Sequence, residues 1–243
     1  MDGLVVTLIV HALNRDSVNY RIYDKQDGQT KNDYLREMIT EVLEWGLKPK
    51  AITTDAWYSS RKNLKFFKNK ELEFLIGIAK NRLCSVDGKN YTQVQNLEIP
   101  DNGLIVHLKK FGKVKVFRRI FKNEIPRYYV MYVPDKDALF LISLIEFKEL
   151  HSIHWGIECY HRAIKQVCGI ELFMVRTSEA IKTHFFSAIR AFVQLELMRT
   201  QELIENWYEV QRNLSLQVAR DFILEQLAQK SCLNPHHDIS VNA

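Results

Sequence analysis

The stretch HSIHWGIECYHRAIKQVCGI, from His151 to Ile170, carries a single acid, Glu158, in line with His151, His154, Arg162 and Lys165. At about 100° per residue these five positions fall within an arc of roughly 80°. The apolar positions Ile153, Ile157, Tyr160, Ile164 and Val167 form a separate stripe. The pattern predicts a helix that packs through one face and offers a carboxylate flanked by bases on the other. A second acid, Asp55, stands where the short strand-like AITT ends and the loop AWYSS begins. Ligands of open α/β sheets gather outside the carboxyl ends of strands. Carboxylate oxygens are hard ligands suited to Mg²⁺ or Mn²⁺. Two such ions, about 3.5–4 Å apart, can activate an attacking oxygen and stabilise a leaving one in phosphodiester cleavage. Asp55 and Glu158 are therefore the candidate catalytic and metal-binding residues, and Arg162 and Lys165 would meet the phosphate backbone.

Plainer roles compete with this reading. Asp55 could cap its turn, and Glu158 could pair with Arg162 at i+4. The string His151-x-x-His154-x-x-x-Glu158 invites zinc, because imidazoles at i and i+3 share a face. It departs from the H-E-x-x-H order, and DNA-facing or surface histidines are the alternative.

Charge adds a third signal. KKFGKVKVFRRIFK, from Lys109 to Lys122, has seven bases and no acid, alternating with Val and Phe. A hairpin with one apolar and one basic side is expected, with Arg118 and Arg119 on a phosphate-tracking or simply solvated face.

The elements that must position these residues follow from periodicity. Apolar runs predict buried strands at 4–13, 51–54 and 73–80, and alternation predicts a strand at 18–24. Helices are expected at 32–45 and 61–70, the second capped by Ser59 or Ser60. Short strands in LIVHLKK, KVKVFRRIF and RYYVMYV make residues 84–133 β-rich, with a turn at Phe111-Gly112. After a turn at Pro134–Asp137 the chain reads as helical: from Ser143, which has capping-box spacing to Glu146, to Gly169, then 178–199 and 202–229. The last helix has an apolar stripe (Leu203, Trp207, Val210, Leu214, Val218, Phe222, Leu227) suited to core packing or to a dimer face. A strand–helix alternation of this kind is an α/β fold.

Composition sets outer bounds. The 243 residues are 47% hydrophobic, enough for a core, and the net charge of +5 leans toward polyanions. Four scattered cysteines without a C-x-x-C pair read as free thiols of a reducing compartment. No apolar run reaches the about 18 residues of a membrane span, and LVVTLIVHAL lacks the basic start of a signal peptide.

YRIYDKQDGQTKND, TTDAWYSS and IHWGIECYHRAIKQVCGIELFMVRT together resemble the insertion-sequence transposases of the DDE superfamily. The resemblance covers roughly residues 4–195. It implies a ribonuclease-H-like core with a β-rich insertion between the second and third catalytic acids. The family helix shows Tyr-x2-Arg-x3-Glu-x6-Lys; Glu158 and Lys165 match its last two positions, while His151 and His154 replace the first two. Asp55 matches the second acid, and the 102 residues at 56–157 leave room for the insertion. The first catalytic Asp, on a central strand before the one resembling 4–13, finds no counterpart here, so an N-terminally truncated enzyme is expected.

The resemblance implies four parts: 1–83, first part of the core; 84–134, β-rich insertion; 135–199, second part of the core with the glutamate helix; and 200–243, C-terminal helix and tail. It implies hydrolysis at transposon ends, then attack of a 3′-hydroxyl on target DNA. Asp55 and Glu158 would hold Mg²⁺ or Mn²⁺, and Tyr58, His154, Arg162, Lys165, Arg176, Arg118 and Arg119 would contact DNA. Expected partners are transposon-end and target DNA and a second copy or a full-length transposase; no membrane is expected. The expected location is the prokaryotic cytoplasm, at the nucleoid. With the first acid missing, inactivity of the chain alone is expected. The competing functions are a non-catalytic DNA-binding or multimerisation fragment that modulates a full-length transposase, and a metal-dependent nuclease of unrelated biology.

Overall fold

A computed structural model describes residues 5–6, 19–23, 27–120 and 125–233. The chain divides into two compact units, Met1–Tyr160 and His161–Ala243. In the first unit, β1 (Val5–Val6) pairs antiparallel with β2 (Arg21–Ile22). The rest of the expected strand at 4–13 lies outside the described residues. Helix α1 (Lys31–Glu44) starts at a capping box in which Thr30 and Asp33 satisfy each other's backbone N–H. It leads to β3 (Ala51–Thr54), a 3-10 turn at Ala56–Tyr58, α2 (Arg61–Asn69), capped by Ser60, and β4 (Glu73–Ile78).

β3 and β4 run parallel, as the βαβ connection through α2 requires. Beyond them come β5 (Leu83–Ser85), β6 (Thr92–Gln93), β7 (Leu104–Leu108), β8 (Gly112–Ile120) and β9 (Pro126–Tyr132). All seven strands form one sheet in the order β3-β4-β9-β8-β7-β5-β6. β9 pairs antiparallel with β4 from Phe74↔Tyr132 to Ile78↔Tyr128. The strands within 84–134 therefore continue the sheet of β3 and β4. The mixed α/β fold expected from the sequence is observed.

Both faces of the sheet centre are covered. On one, Ile52, Phe74, Ile76, Val114, Val116 and Val130 pack with Leu35 and Ile39 of α1 and Leu64 and Phe67 of α2. On the other, Leu75, Phe117, Tyr129 and Met131 pack with Leu139 of α3 (Lys136–Leu141), with Ile142, and with Phe147 of α4 (Leu144–Gln166). This corrects the expected hairpin with a basic side. β8 is a central strand, so its middle must be apolar on both faces. Lys115 is buried and donates through Nζ to the Ile142 carbonyl at 2.6 Å. Burial lowers its pKa. Arg118 and Arg119 are exposed but, being adjacent on a strand, leave from opposite faces.

The segment Pro134–Asp137, expected as a turn, opens α3, with the Asp135 carboxylate accepting from the Asp137 N–H. α4 begins as expected, with Ser143 and Glu146 satisfying each other. In the second unit, α5 (Ser178–Thr200) and α6 (Trp207–Leu233) follow. α6 starts later than expected because the chain turns at Glu202 (φ 58) and the Asn206 side chain accepts the Glu209 N–H. At the start of α6 the Trp207 indole donates to Glu196 at 2.7 Å, a buried carboxylate also held by Arg199.

At Gly103 φ is +79°, and a Cβ would lie 2.8 Å from the Phe117 ring. Gly103→Ala is expected to cost about 2 kcal/mol or more, from left-handed strain plus overpacking. The urea midpoint, at unchanged m-value, measures it.

Candidate active site

Asp55 closes β3 and serves as N-cap of the 3-10 turn, accepting the Trp57 N–H on Oδ1 at 2.9 Å. The capping role foreseen for it is real, and it occupies one oxygen. Oδ2 has no hydrogen-bond partner among the described residues, and the side chain is exposed. The turn sits against β4 at Gly77, where a Cβ would lie 3.1 Å from the Ala56 nitrogen, so a side chain there would push on the segment that aims Asp55. Behind the turn, the fully buried Asn63 of α2 donates to the Tyr58 carbonyl at 3.0 Å and to Asn32 Oδ1 at 2.6 Å, and accepts from Arg36. Tyr58 is half-buried; burial, then the Asp55 charge, pushes its hydroxyl pKa up to about 12.

The other acid comes from α4, whose expected apolar stripe is buried at Tyr160 and Ile164 but not at Ile153, where the histidine side packs instead. His151 is buried, whereas Ile153 is 47% exposed and Trp155 50%. Phe147 stacks on Phe117 with centroids 4.3 Å apart, and His151 meets the edge of Tyr129 at 4.9 Å. His154 approaches the same ring at 6.3 Å. Phe147, His151, His154 and Glu158 therefore form the sheet-facing stripe, at i, i+4, i+7 and i+11. Aromatic partners on the sheet, invisible in the helix sequence, favour His151 over Ile153 there, while Tyr160 and Ile164 are buried as expected. Glu158 itself is exposed and makes no hydrogen bond or ion pair among the described residues.

His154 lies one turn before Glu158 on the same face of α4. Burial lowers its pKa, while the charges of Glu158 and then Asp55 push it the other way. Both carboxylates thus act on one imidazole. Its Nδ1 is buried without a hydrogen-bond partner among the described residues. His151 has its pKa pushed down to about 4, by burial first and then by Arg119, His154 and Arg127. Arg119 Nη1 lies 3.4 Å from His151 Nδ1. Arg119 and Arg127 are directly opposite in the β8–β9 register. Arg127 escaped the sequence reading, because only the hairpin register sets it beside Arg119.

Asp55 and Glu158 offer oxygen ligands of the kind Mg²⁺ and Mn²⁺ accept. No group of three or more His, Cys, Asp and Glu able to hold a metal occurs among the described residues. In the second unit Arg162 and Arg176 are exposed, and Lys165 pairs with Glu171 at 2.6 Å.

Residues 2–193 match the family described as transposase DDE domain. The chain belongs to this family. No curated protein matches it. The transposase DDE domain works in DNA transposition, binds DNA and in general uses divalent metal ions. No described helix of this one is long and apolar enough to cross a membrane.

Two outcomes follow. Asn63→Ala removes the buried link between α2 and the Asp55 turn and leaves the Tyr58 carbonyl and Arg36 without that partner. It is expected to cost about 2–4 kcal/mol in urea unfolding, more than one surface hydrogen bond. His151, depressed in the folded state, stays neutral where the unfolded chain takes up a proton. Stability is full above about pH 6.5 and falls as the pH drops toward 4, by about 2 kcal/mol at pH 5. His151→Phe should flatten that slope of unfolding free energy against pH.

Proposed function

We propose that this transposase DDE domain carries the second and third acids of a DNA strand-cleavage and strand-transfer site, Asp55 and Glu158. Supporting the reading are the family match at 2–193, which spans both acids, and their placement, Asp55 at the end of β3 and Glu158 on the α4 stripe after His151 and His154, 103 positions later in sequence. Both would hold Mg²⁺ or Mn²⁺ through oxygen. The bound ions supply charge stabilisation of the scissile phosphate and activation of the attacking oxygen. Tyr58 would donate its hydroxyl to the DNA backbone, since its raised pKa keeps the proton on. His154, neutral and beside both acids, would donate or accept a hydrogen bond without adding charge. Arg118 and Arg119 at the end of β8, and Arg162, Lys165 and Arg176 in the second unit, would meet phosphates. The partners are transposon-end and target DNA, at the nucleoid, with a second copy or a full-length transposase.

The four-part organisation at 1–83, 84–134, 135–199 and 200–243 is retained as part of this reading, with 84–134 inserted between the two acids. Two carboxylates are few ligands for a two-ion centre, and the first acid of the resemblance finds no counterpart in this sequence. The chain alone is therefore expected to bind DNA without completing strand transfer. That is also what a modulating fragment would do.

Mn²⁺ titration followed by electron paramagnetic resonance tests the shared site. Asp55→Ala and Glu158→Ala are each expected to weaken binding about tenfold or more, and the double variant little further, because the acids act as a unit. Additive losses would show two separate sites and sink the reading. Mg²⁺-dependent nicking of transposon-end DNA, abolished by Asp55→Ala, would overturn the expected inactivity.

A further inference from the structure

Asn102–Gly103 is the one place in the sequence where glycine follows asparagine. Asparagine is among the thermolabile residues. Its amide carbon lies within reach of the next backbone nitrogen, and a glycine there has no Cβ to hinder the approach. Asn102 is exposed, and its amide makes no hydrogen bond among the described residues. Two described aspartates also precede glycines, and both are held. Asp87 accepts from the Ser85 hydroxyl at 2.6 Å and from the Lys89 and Asn90 N–H groups at 2.9 and 2.8 Å. Those bonds keep its carboxyl well below the usual carboxylate range, and an ionised carboxylate resists attack by nitrogen. Asp27 accepts from the Tyr34 hydroxyl at 2.8 Å. One restraint opposes reaction at Asn102: the Gly103 N–H donates to the Pro100 carbonyl at 2.8 Å. That turn is exposed at Asp101 and Asn102, and exposed turns open locally at little cost.

Once the turn opens, the Gly103 nitrogen can attack Asn102 Cγ. A nitrogen–Cγ bond forms and closes a five-membered imide. The bond from Cγ to the amide nitrogen breaks, and that nitrogen leaves as ammonia with the Gly103 proton. Water then opens the imide at either carbonyl. Opening at Cγ leaves aspartate at position 102. Opening at the main-chain carbonyl leaves isoaspartate, with the chain routed through Cβ. The sum is one water consumed and one ammonia released, with no change of oxidation state.

The isoaspartyl product puts one extra atom into the backbone just before Gly103. That glycine has no room to yield inward: φ is +79°, and a single added Cβ would stand 2.8 Å from the Phe117 ring and 3.0 Å from the Val116 carbonyl oxygen. Phe117 is the ring on which Phe147 of α4 stacks at 4.3 Å. We propose that Asn102–Gly103 is a self-modifying site, and that isoaspartate there disturbs the Phe117 contact supporting α4. The chain would then carry a chemical clock that acts on the element bearing Glu158.

The test ages the full chain at mildly alkaline pH beside Asn102→Gln, whose longer side chain closes the imide poorly, and beside freshly made Asn102→Asp. The aged chain should gain about one dalton and accept methyl groups from an isoaspartyl methyltransferase, both mapped to the peptide spanning Asn102. The rate should be about tenfold below that of the same sequence as a free peptide, as a closed turn requires. The thermal midpoint of the aged chain should fall by about 2–8 °C. Asn102→Gln should age without that fall, and fresh Asn102→Asp should match the unaged chain, since only a charge is added at an exposed position. No isoaspartate at position 102, while the free peptide converts, would overturn the site. An unchanged midpoint in the modified chain, an equal fall in aged Asn102→Gln, or an equal fall in fresh Asn102→Asp would overturn the link to Phe117.

Discussion

The stack of Phe147 on Phe117, with ring planes 10° apart, sets the rotation of α4 about its axis. Each residue on an α-helix advances by about 100°, so one residue of slip would carry Glu158 a quarter-turn or more away. The contact works because β8 is central and offers Phe117 from a face that β9 extends with Tyr129. Phe147 and His151 fill that surface, and the helix then delivers His154 and Glu158 along the same stripe. Asp55 depends on the same sheet through another route. The parallel pair β3–β4 ends its hydrogen bonding at Thr54↔Ile76, and the next residue leaves the sheet as the cap of a short turn. Two acids from opposite ends of the first unit's sequence thus owe their positions to one sheet.

The electrostatics of this region are asymmetric. Desolvation keeps His151 and His154 neutral, although Glu158 and Asp55 pull His154 the other way. A neutral imidazole adds no positive charge to offset either carboxylate. The family's arginine at the same helical position would bring a permanent charge and a bidentate fork. Histidine here gives up that anchor, and the exposed guanidinium groups of Arg118 and Arg119 on the neighbouring strand carry positive charge instead.

Much of the fold was legible because its signals are local. The β-branched, apolar stretches at 51–54 and 73–78, the Ser60 cap and the Ser143–Glu146 box act within four residues of themselves. What failed was non-local. An amphipathic β8 was a fair inference from alternating Lys and Val, yet the strand lies between two covered faces, and Lys115 is accommodated through the Ile142 carbonyl. The α4 stripe was legible at Tyr160 and Ile164 but not at its start: Ile153 is more apolar than His151, yet Phe147, His151 and Tyr129 are mutual partners only once β9 and α4 are brought together. At the site, Asp55 and Glu158 could be picked out by type and spacing. The supports of Asp55, Gly77 and Asn63, could not, because their roles are set by distances to a turn.

The sheet's double coverage also dictates where positive charge can go. A central strand can carry exposed bases only beyond its buried middle, so β8 carries its exposed arginines after Phe117, at the end shared with the start of β9. There Arg119 faces Arg127 directly across the ladder, and like charges so placed destabilise a sheet by about 0.2–1 kcal/mol. His151 beside it is held neutral and adds no third positive charge. A polyanion would relieve the repulsion, and under the proposed reading the DNA backbone turns a small cost of the free chain into part of the binding free energy.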